Sequence, residues 1–330
     1  MNWEMILVAV ISFVVTAVAG KFLIPVLRRL KFGQTILEEG PSWHQAKQGT
    51  PTMGGIMFIV GIVAAVVIGY AVMALTGNAI LDPLEQMQFF GGLVMALGFG
   101  LIGFLDDYIK VVKKRNLGLT AWQKIVGQVG LTALYLVALY FAGDRSTIIS
   151  VPFLGLWDLG FFYYPILGVL IIGIVNSVNL TDGIDGLCGS VTFVVALFFM
   201  VVSTLASQSG MKVLATALAG ACLGFLIYNL HPAKVFMGDT GSMFLGGMVV
   251  ALGFGMNMEF ILFFAGIIYC IESLSVILQV ISFKTTGKRI FRMSPIHHHF
   301  EMGGWSENKI VVVFSFVTLV LCVIGAFAFV

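Results

Sequence analysis

At 330 residues, 59% of them hydrophobic and only 10% charged, with a mean hydropathy of +1.03, the chain lacks the polar surface a soluble protein of this size needs. A net charge of +2 gives no sign of nucleic-acid binding. The four cysteines (Cys188, Cys222, Cys270, Cys322) fall in or beside apolar runs without a Cys-x-x-Cys pair, which excludes a disulfide framework and reads as buried small hydrophobes.

A helical span takes about 20 apolar residues, so this composition accommodates roughly ten. The pattern predicts spans over 3–25, 53–75, 88–105, 122–142, 162–178, 188–207, 211–229, 241–256, 258–283 and 309–329. The expected fold is an all-α polytopic integral membrane protein forming a single domain over residues 1–330. Ala17-Val18-Ala19 imitates a signal-peptide cleavage site, but Glu4 precedes the first run and Lys21, Arg28 and Arg29 follow it. That is the polarity of a retained first span with its N-terminus outside. With ten spans, both termini lie outside, and of 18 Lys and Arg only Arg145 and Lys212 fall in outer segments. All five histidines and Asp106, Asp107, Asp182, Asp185 and Asp239 then face the cytoplasm. The outer loops are short and hold scattered acids. No pair of Gly/Pro-broken spans recurs in matching halves, which weighs against an inverted-repeat transporter.

Five polar stretches and one buried acid stand out in chain order. Lys47-Gln48-Gly49-Thr50-Pro51-Thr52-Met53-Gly54-Gly55 leads into the second span; its Thr-Pro and Gly-Gly pairs suit either a close approach to a ligand or plain helix initiation and tight packing. Asp106-Asp107-Tyr108-Ile109-Lys110 closes the third span. Lys110 lies one helical turn from both acids, so the three groups converge. Adjacent carboxylates repel unless a cation or proton relieves them, and carboxylates beside a lysine suit Mg²⁺ and a diphosphate; the competing reading is a solvated helix end.

Asn176-Ser177-Val178-Asn179-Leu180-Thr181-Asp182-Gly183-Ile184-Asp185-Gly186-Leu187 sets polar groups every third residue, and its glycines predict that the helix ends there. A nucleotide, a sugar or a hard cation would all suit it. In Val235-Phe236-Met237-Gly238-Asp239-Thr240-Gly241-Ser242, Asp239 is placed to cap the eighth span, and Gly238 and Gly241 permit close backbone approach. Glu272, inside the ninth run, is an intramembrane acid with either a functional or a pairing role. Met293-Ser294-Pro295-Ile296-His297-His298-His299-Phe300-Glu301 supplies acid–base groups, phosphate donors or metal ligands, or is a plain polar loop; read as an extended segment, it points its histidines alternately, which weighs against all three binding one ion.

Together these stretches resemble the phospho-N-acetylmuramoyl-pentapeptide transferase (translocase I) family, within the polyprenyl-phosphate hexosamine-1-phosphate transferases. The resemblance covers essentially the whole chain. The Asp-Asp pair and the Asn-x-x-Asp-Gly-x-Asp-Gly loop belong to the wider superfamily; Pro295-Ile296-His297-His298-His299-Phe300-Glu301 and Gly49-Thr50-Pro51-Thr52-Met53-Gly54-Gly55 narrow it. It implies transfer of phospho-MurNAc-pentapeptide from UDP-MurNAc-pentapeptide to undecaprenyl phosphate, giving lipid I and UMP with Mg²⁺. The implied setting is a homodimer in the bacterial plasma membrane with its site on the cytoplasmic face. Carried over by position, Asp239 is the metal-binding acid, Asp106 and Asp107 are further metal candidates, and Asp106, Asp107, Asp239 and His297 are the catalytic candidates. Lys47, Thr52, Asn179, Asp182, Asp185, Phe236, Ser242, Gln279 and His298 match the substrate pocket, to which Lys110 and Gly238 are added from their chemistry. The rivals are a UDP-N-acetylglucosamine transferase, against which the last-loop histidines argue, and a transporter, which would place its charges near the bilayer midplane.

Overall fold

The computed structural model describes residues 3–30, 47–77, 80, 82–113 and 118–327. His44, the basic residues Lys31, Lys114 and Arg115, and the end of the last predicted span lie outside the described residues.

Hydrocarbon offers backbone groups no water, so apolar runs close their own hydrogen bonds as long helices. Among the described residues there are ten such helices: α1 (Trp3–Arg29), α2 (Gly55–Leu75), α3 (Gly92–Val112), α4 (Ala121–Ala142), α5 (Tyr163–Thr181), α6 (Leu187–Leu205), α7 (Ser209–Asn229), α8 (Gly238–Gly255), α9 (Ile267–Thr286) and α10 (Glu307–Ala326). Among the described residues, nine helical segments are long and apolar enough to cross a membrane, and α8 is not one of them. Six glycines with Asp239, Thr240 and Ser242 dilute its apolar character, yet from Thr240 to Gly255 every residue is buried.

α8 is therefore the centre of the fold. It packs most extensively on α3, then on α5 and α2. Its small residues admit neighbours at close range, Gly246 against Val175 of α5 and Gly247 against Ala96 of α3. Around this centre, α7 packs on α1 and α6. Two polar side chains tie α1 to α7: Ser12 donates to the Ala217 carbonyl at 2.6 Å, and Tyr228 donates to the Ala17 carbonyl at 2.8 Å.

Three boundaries differ from the sequence expectation. α3 runs on to Val112, so Asp106, Asp107 and Lys110 stand on a continuous helix and not at its end. The predicted ninth span is interrupted: a 3₁₀ turn (Glu259–Ile261) and a short helix (Leu262–Ala265) precede α9, with the break at Gly266. Asn257 and Glu259 start that stretch, and Asn257 takes a positive φ of 53°, which ends one helix before the next begins. The loop after α4 holds a hairpin, β1 (Ile148–Val151) paired antiparallel with β2 (Gly155–Asp158). Its turn uses positive φ at Phe153 and Gly155.

Candidate active site

The first functional cluster forms where α3, α4 and α8 meet. Asp106, Asp107 and Asp239 each offer an oxygen, and these atoms all lie within 4.8 Å of one another. Two lysines face them. Lys110 Nζ is 2.6 Å from Asp106, 3.4 Å from Asp239 and 4.0 Å from Asp107. Lys124 Nζ is 2.6 Å from Asp239 and 3.1 Å from Asp106. Lys124 owes its place to local sequence: Thr120 and Gln123 form a capping box that starts α4 at Ala121, three residues before it. The Leu119 N–H donates to Asp106 Oδ1 at 2.8 Å, drawing the start of α4 onto α3.

Asp239 is not the cap of α8. It lies in the first turn, and the preceding Met237 makes no side-chain cap. Asp107 does that work from the neighbouring helix, accepting the Asp239 N–H at 3.3 Å, the Thr240 N–H at 2.9 Å and the Thr240 hydroxyl at 2.7 Å. The free N–H groups of a helix start favour an anion, and here that anion is protein. Asp239 is thereby left to face the lysines. Burial opposes its ionisation, but Lys110 and Lys124 hold its carboxyl well below the usual carboxylate range.

Gly238, with φ +70°, is the hinge of this corner. A Cβ there would lie 2.5 Å from Asp107 Oδ2 and 2.7 Å from Thr52 Oγ1, so only glycine lets the three meet. The 47–55 stretch does approach something closely, and it is the chain's own 235–238 segment. Phe236 N–H donates to the Pro51 carbonyl at 2.8 Å, and the Gly54 and Gly55 N–H groups donate to Phe236 and Met237 carbonyls at 2.8 and 3.0 Å. Ser242 donates to the Gly238 carbonyl at 3.0 Å inside the same helix.

The second cluster gathers at the loop that follows α5. Asn179 accepts the Asp182 N–H at its carbonyl, 3.2 Å away, as the helix ends. Asp182 is half-buried, and burial, with Asp239, Asp107 and Asp185 nearby, raises its carboxyl well above the usual range. Asp185 is fully partnered: Lys47 at 2.8 Å, His231 Nδ1 at 3.0 Å and the Ala233 N–H at 2.9 Å. Glu307, at the start of α10, completes the group. It pairs with Lys47 at 2.6 Å and accepts the Asp185 N–H at 2.8 Å. Asn229 adds a bond from the Gly186 N–H at 3.1 Å. Asn176 turns away and forms an amide pair with Gln128 of α4 at 2.8 and 3.2 Å.

The three histidines do not form an extended segment. Residues Ile296–Glu301 make a short helix that sends the rings in different directions. His297 is buried against Glu272 of α9, His298 Nδ1 lies 2.6 Å from Glu301, and His299 Nδ1 accepts the Arg292 N–H at 3.1 Å. Gln279 holds the segment before them, accepting the Ile290 and Phe291 N–H groups at 3.0 Å each and donating to the Phe291 carbonyl at 3.0 Å.

The sequence expectation thus brings together Asp106, Asp107, Lys110, Gly238, Thr52 and Asp239 in one group and Lys47 with Asp185 in another. It missed Lys124, His231, Asn229 and Glu307. The capping box was a signal for Lys124. An acid in the first turn of the last helix was a signal for Glu307. For His231 and Asn229, which act through folds far apart in sequence, no local signal exists.

Hard carboxylate oxygens set beside two ammonium groups suit a divalent cation with phosphate oxygens. A groove of about 590 Å³ between α4 and α5, lined by Val129, Leu136, Tyr140, Phe141, Tyr164 and Val169 among others, offers apolar walls. Val129 follows Lys124 by five residues, roughly 7.5 Å along the helix.

Comparison with known proteins gives these features a family. The profile described as Glycosyl transferase family 4 matches residues 89–257, and a phospho-N-acetylmuramoyl-pentapeptide-transferase signature matches residues 47–59. A phospho-N-acetylmuramoyl-pentapeptide-transferase of Heliobacterium modesticaldum is 49% identical over 98% of this chain and 96% of its own length. That of Desulfitobacterium hafniense is 47% identical over 99% and 98%, and that of Bacillus subtilis 47% over 96% and 95%. With matches of that depth along almost its full length, the chain belongs to the phospho-N-acetylmuramoyl-pentapeptide-transferase family of multi-pass membrane enzymes.

Proposed function

We propose that this enzyme transfers phospho-MurNAc-pentapeptide from UDP-MurNAc-pentapeptide to undecaprenyl phosphate, releasing UMP and forming lipid I, an early membrane step of peptidoglycan synthesis. The observation that carries the reading is the cluster of three carboxylates and two lysines beside the acid-rich loop after α5. The site belongs on the cytoplasmic face of the bacterial inner membrane, a placement supported by the distribution of Lys and Arg along the sequence.

In this reaction an oxygen of the lipid phosphate attacks the sugar-bearing phosphorus of the donor, and the bond to UMP breaks. Such transfers need alignment and charge neutralisation more than covalent help. Asp239, with Asp106 and Asp107, would hold Mg²⁺, which supplies charge stabilisation to the diphosphate. Lys110 and Lys124 now neutralise those acids and are placed to turn to phosphate oxygens when substrate arrives. Asp106 orients the acceptor phosphate or takes its last proton; with a second phosphate pKa of about 6, that base needs little strength. Asp107 supports α8 by the three bonds it accepts. The 182–186 loop, with Lys47, receives the uridine and sugar side of the donor, since a uracil edge and ribose hydroxyls want acceptors and amides. The apolar groove between α4 and α5 is suited to part of the lipid chain. Family resemblance further supports a homodimer.

The test is UMP release in detergent with Mg²⁺ and undecaprenyl phosphate, comparing UDP-MurNAc-pentapeptide with UDP-N-acetylglucosamine. Release from the first donor is expected. Release from the second alone would overturn the substrate assignment, and release from neither would overturn the reaction.

A further inference from the structure

Glu272 and His297 are both fully buried, one on α9 and the other on the short helix Ile296–Glu301. Glu272 Oε2 stands 3.0 Å from His297 Nδ1 and also accepts the His297 backbone N–H at 3.4 Å. A carboxylate at Nδ1 accepts a hydrogen bond from the ring N–H there, which fixes the tautomer and leaves Nε2 as the ring's remaining hydrogen-bonding atom, an acceptor. Among the described residues Nε2 has no hydrogen-bond partner, though it is buried. Leaving a buried nitrogen unmet costs stability, and such atoms ask for an explanation.

Its neighbour supplies one. Nε2 and Cε1 stand where a methyl on Gly183 would have to go. Gly183 is exposed and lies between Asp182 and Ile184, in the loop assigned above to the donor. The ring thus rises beneath a loop residue that has no side chain to cover it.

We propose that Glu272 is a positioning residue: it holds the His297 ring so that Nε2 accepts a hydrogen bond from a hydroxyl of the nucleotide-sugar donor at Gly183. This rests on the donor-loop reading given under the proposed function. It gives the buried acid on α9 a task in the reaction and explains the absence of a side chain at 183.

The experiment uses the full-length enzyme in detergent with Glu272→Met, Glu272→Asp, His297→Gln, the Glu272→Met/His297→Gln pair and Gly183→Ala. Glu272→Met is expected to lower kcat/KM for UDP-MurNAc-pentapeptide at least tenfold, with KM for undecaprenyl phosphate within twofold of wild type. Glu272→Asp restores part of the loss. Because Glu272 acts through His297, adding Glu272→Met to His297→Gln should cost less than a further threefold. The ¹⁵N spectrum of labelled histidine should lose its Nδ1–H signal in Glu272→Met. Wild-type kinetics in Glu272→Met, or losses that multiply in the double variant, would overturn the proposal. If Glu272→Met does not fold, Gly183→Ala decides: a tenfold loss supports the ring's position, and an unchanged rate refutes it. A wild-type enzyme that releases no UMP sinks the functional reading instead. The histidine spectrum then still decides the dyad, which persistence of the Nδ1–H signal would overturn.

Discussion

Two groups of acids, each answered by lysine, sit near one another, and they are built differently. In the Asp106–Asp107–Asp239 group the lysines are long side chains that remain partly in solvent, Lys110 at 34% and Lys124 at 25% exposure, and Asp239 is 18% exposed. In the Asp185–Glu307 group the lysine is more enclosed, Lys47 at 15% exposure, and the two acids are tied to each other as well as to backbone: Asp185 accepts the Ala233 N–H and its own N–H goes to Glu307. A lysine held only by its charges can exchange one anion for another. An acid threaded through backbone bonds from three segments cannot move without moving them. On the proposed reading, the first group is arranged for chemistry and the second for shape.

The largest effect that tests this contrast should come from Asp239→Asn. Removing the charge that faces both lysines is expected to reduce UMP release by about 10²–10³-fold or more, with the protein still folded. A near-normal rate would take Asp239 out of the metal site. Next in size, Lys124→Met should lower kcat about tenfold while thermal stability changes little, since a partly exposed ion pair contributes only ~0–1 kcal/mol. Glu307→Gln should do the reverse. It weakens a mostly buried ion-pair group, so the melting temperature should fall by several degrees and KM for the donor should rise more than kcat falls. If the two variants show the same profile, the distinction between the groups is wrong.

Asp182→Asn gives a smaller effect whose sign follows from linkage. The folded-state pKa of Asp182 is raised, first by burial and then by the acids around it. Stabilisation from a raised acid is fully present below the ordinary carboxylate value of about 4 and is lost as pH rises through the elevated folded value. At neutral pH the charged form therefore burdens the fold. Asp182→Asn should raise the melting temperature at pH 7–8 in the absence of donor, with the gain shrinking towards pH 4, while donor binding weakens. A melting temperature that falls at pH 7 would refute the assignment of strain to this carboxylate. The smallest effect is expected for Thr240→Val, which removes one of three bonds to Asp107; stability should drop by about 1 kcal/mol and turnover by less than threefold.

Much of this was legible in the sequence because the membrane simplifies the rules. Apolar runs separated by polar stretches locate helices, and a scarce charge in such a chain marks a site. Lys110 was placed beside Asp106 and Asp107 by helical spacing alone. What remained hidden depends on pairs of helices. Asp107 caps α8 across 132 positions of sequence, so the local pattern assigned that role to Asp239. The Glu272–His297 contact joins residues 25 apart through an intervening turn, and the sequence left open whether Glu272 pairs or acts. The histidines were expected in an extended segment, whereas Pro295 leads into a helical turn that separates them.

The burial of α8 has a consequence for how the enzyme meets its substrates. Every residue from Thr240 onward touches protein, and glycines seat the helix against α3 and α5 without slack. Asp239 is thus fixed to the part of the molecule with the least freedom to shift. Thinner cover lies at Gly183 in the loop after α5 and at the ends of Lys110 and Lys124, which face solvent from α3 and α4. On the proposed reading, adjustment to two substrates of unlike shape, one water-soluble and one lipid, falls to that loop and those lysines, and Asp239 stays still while they adapt.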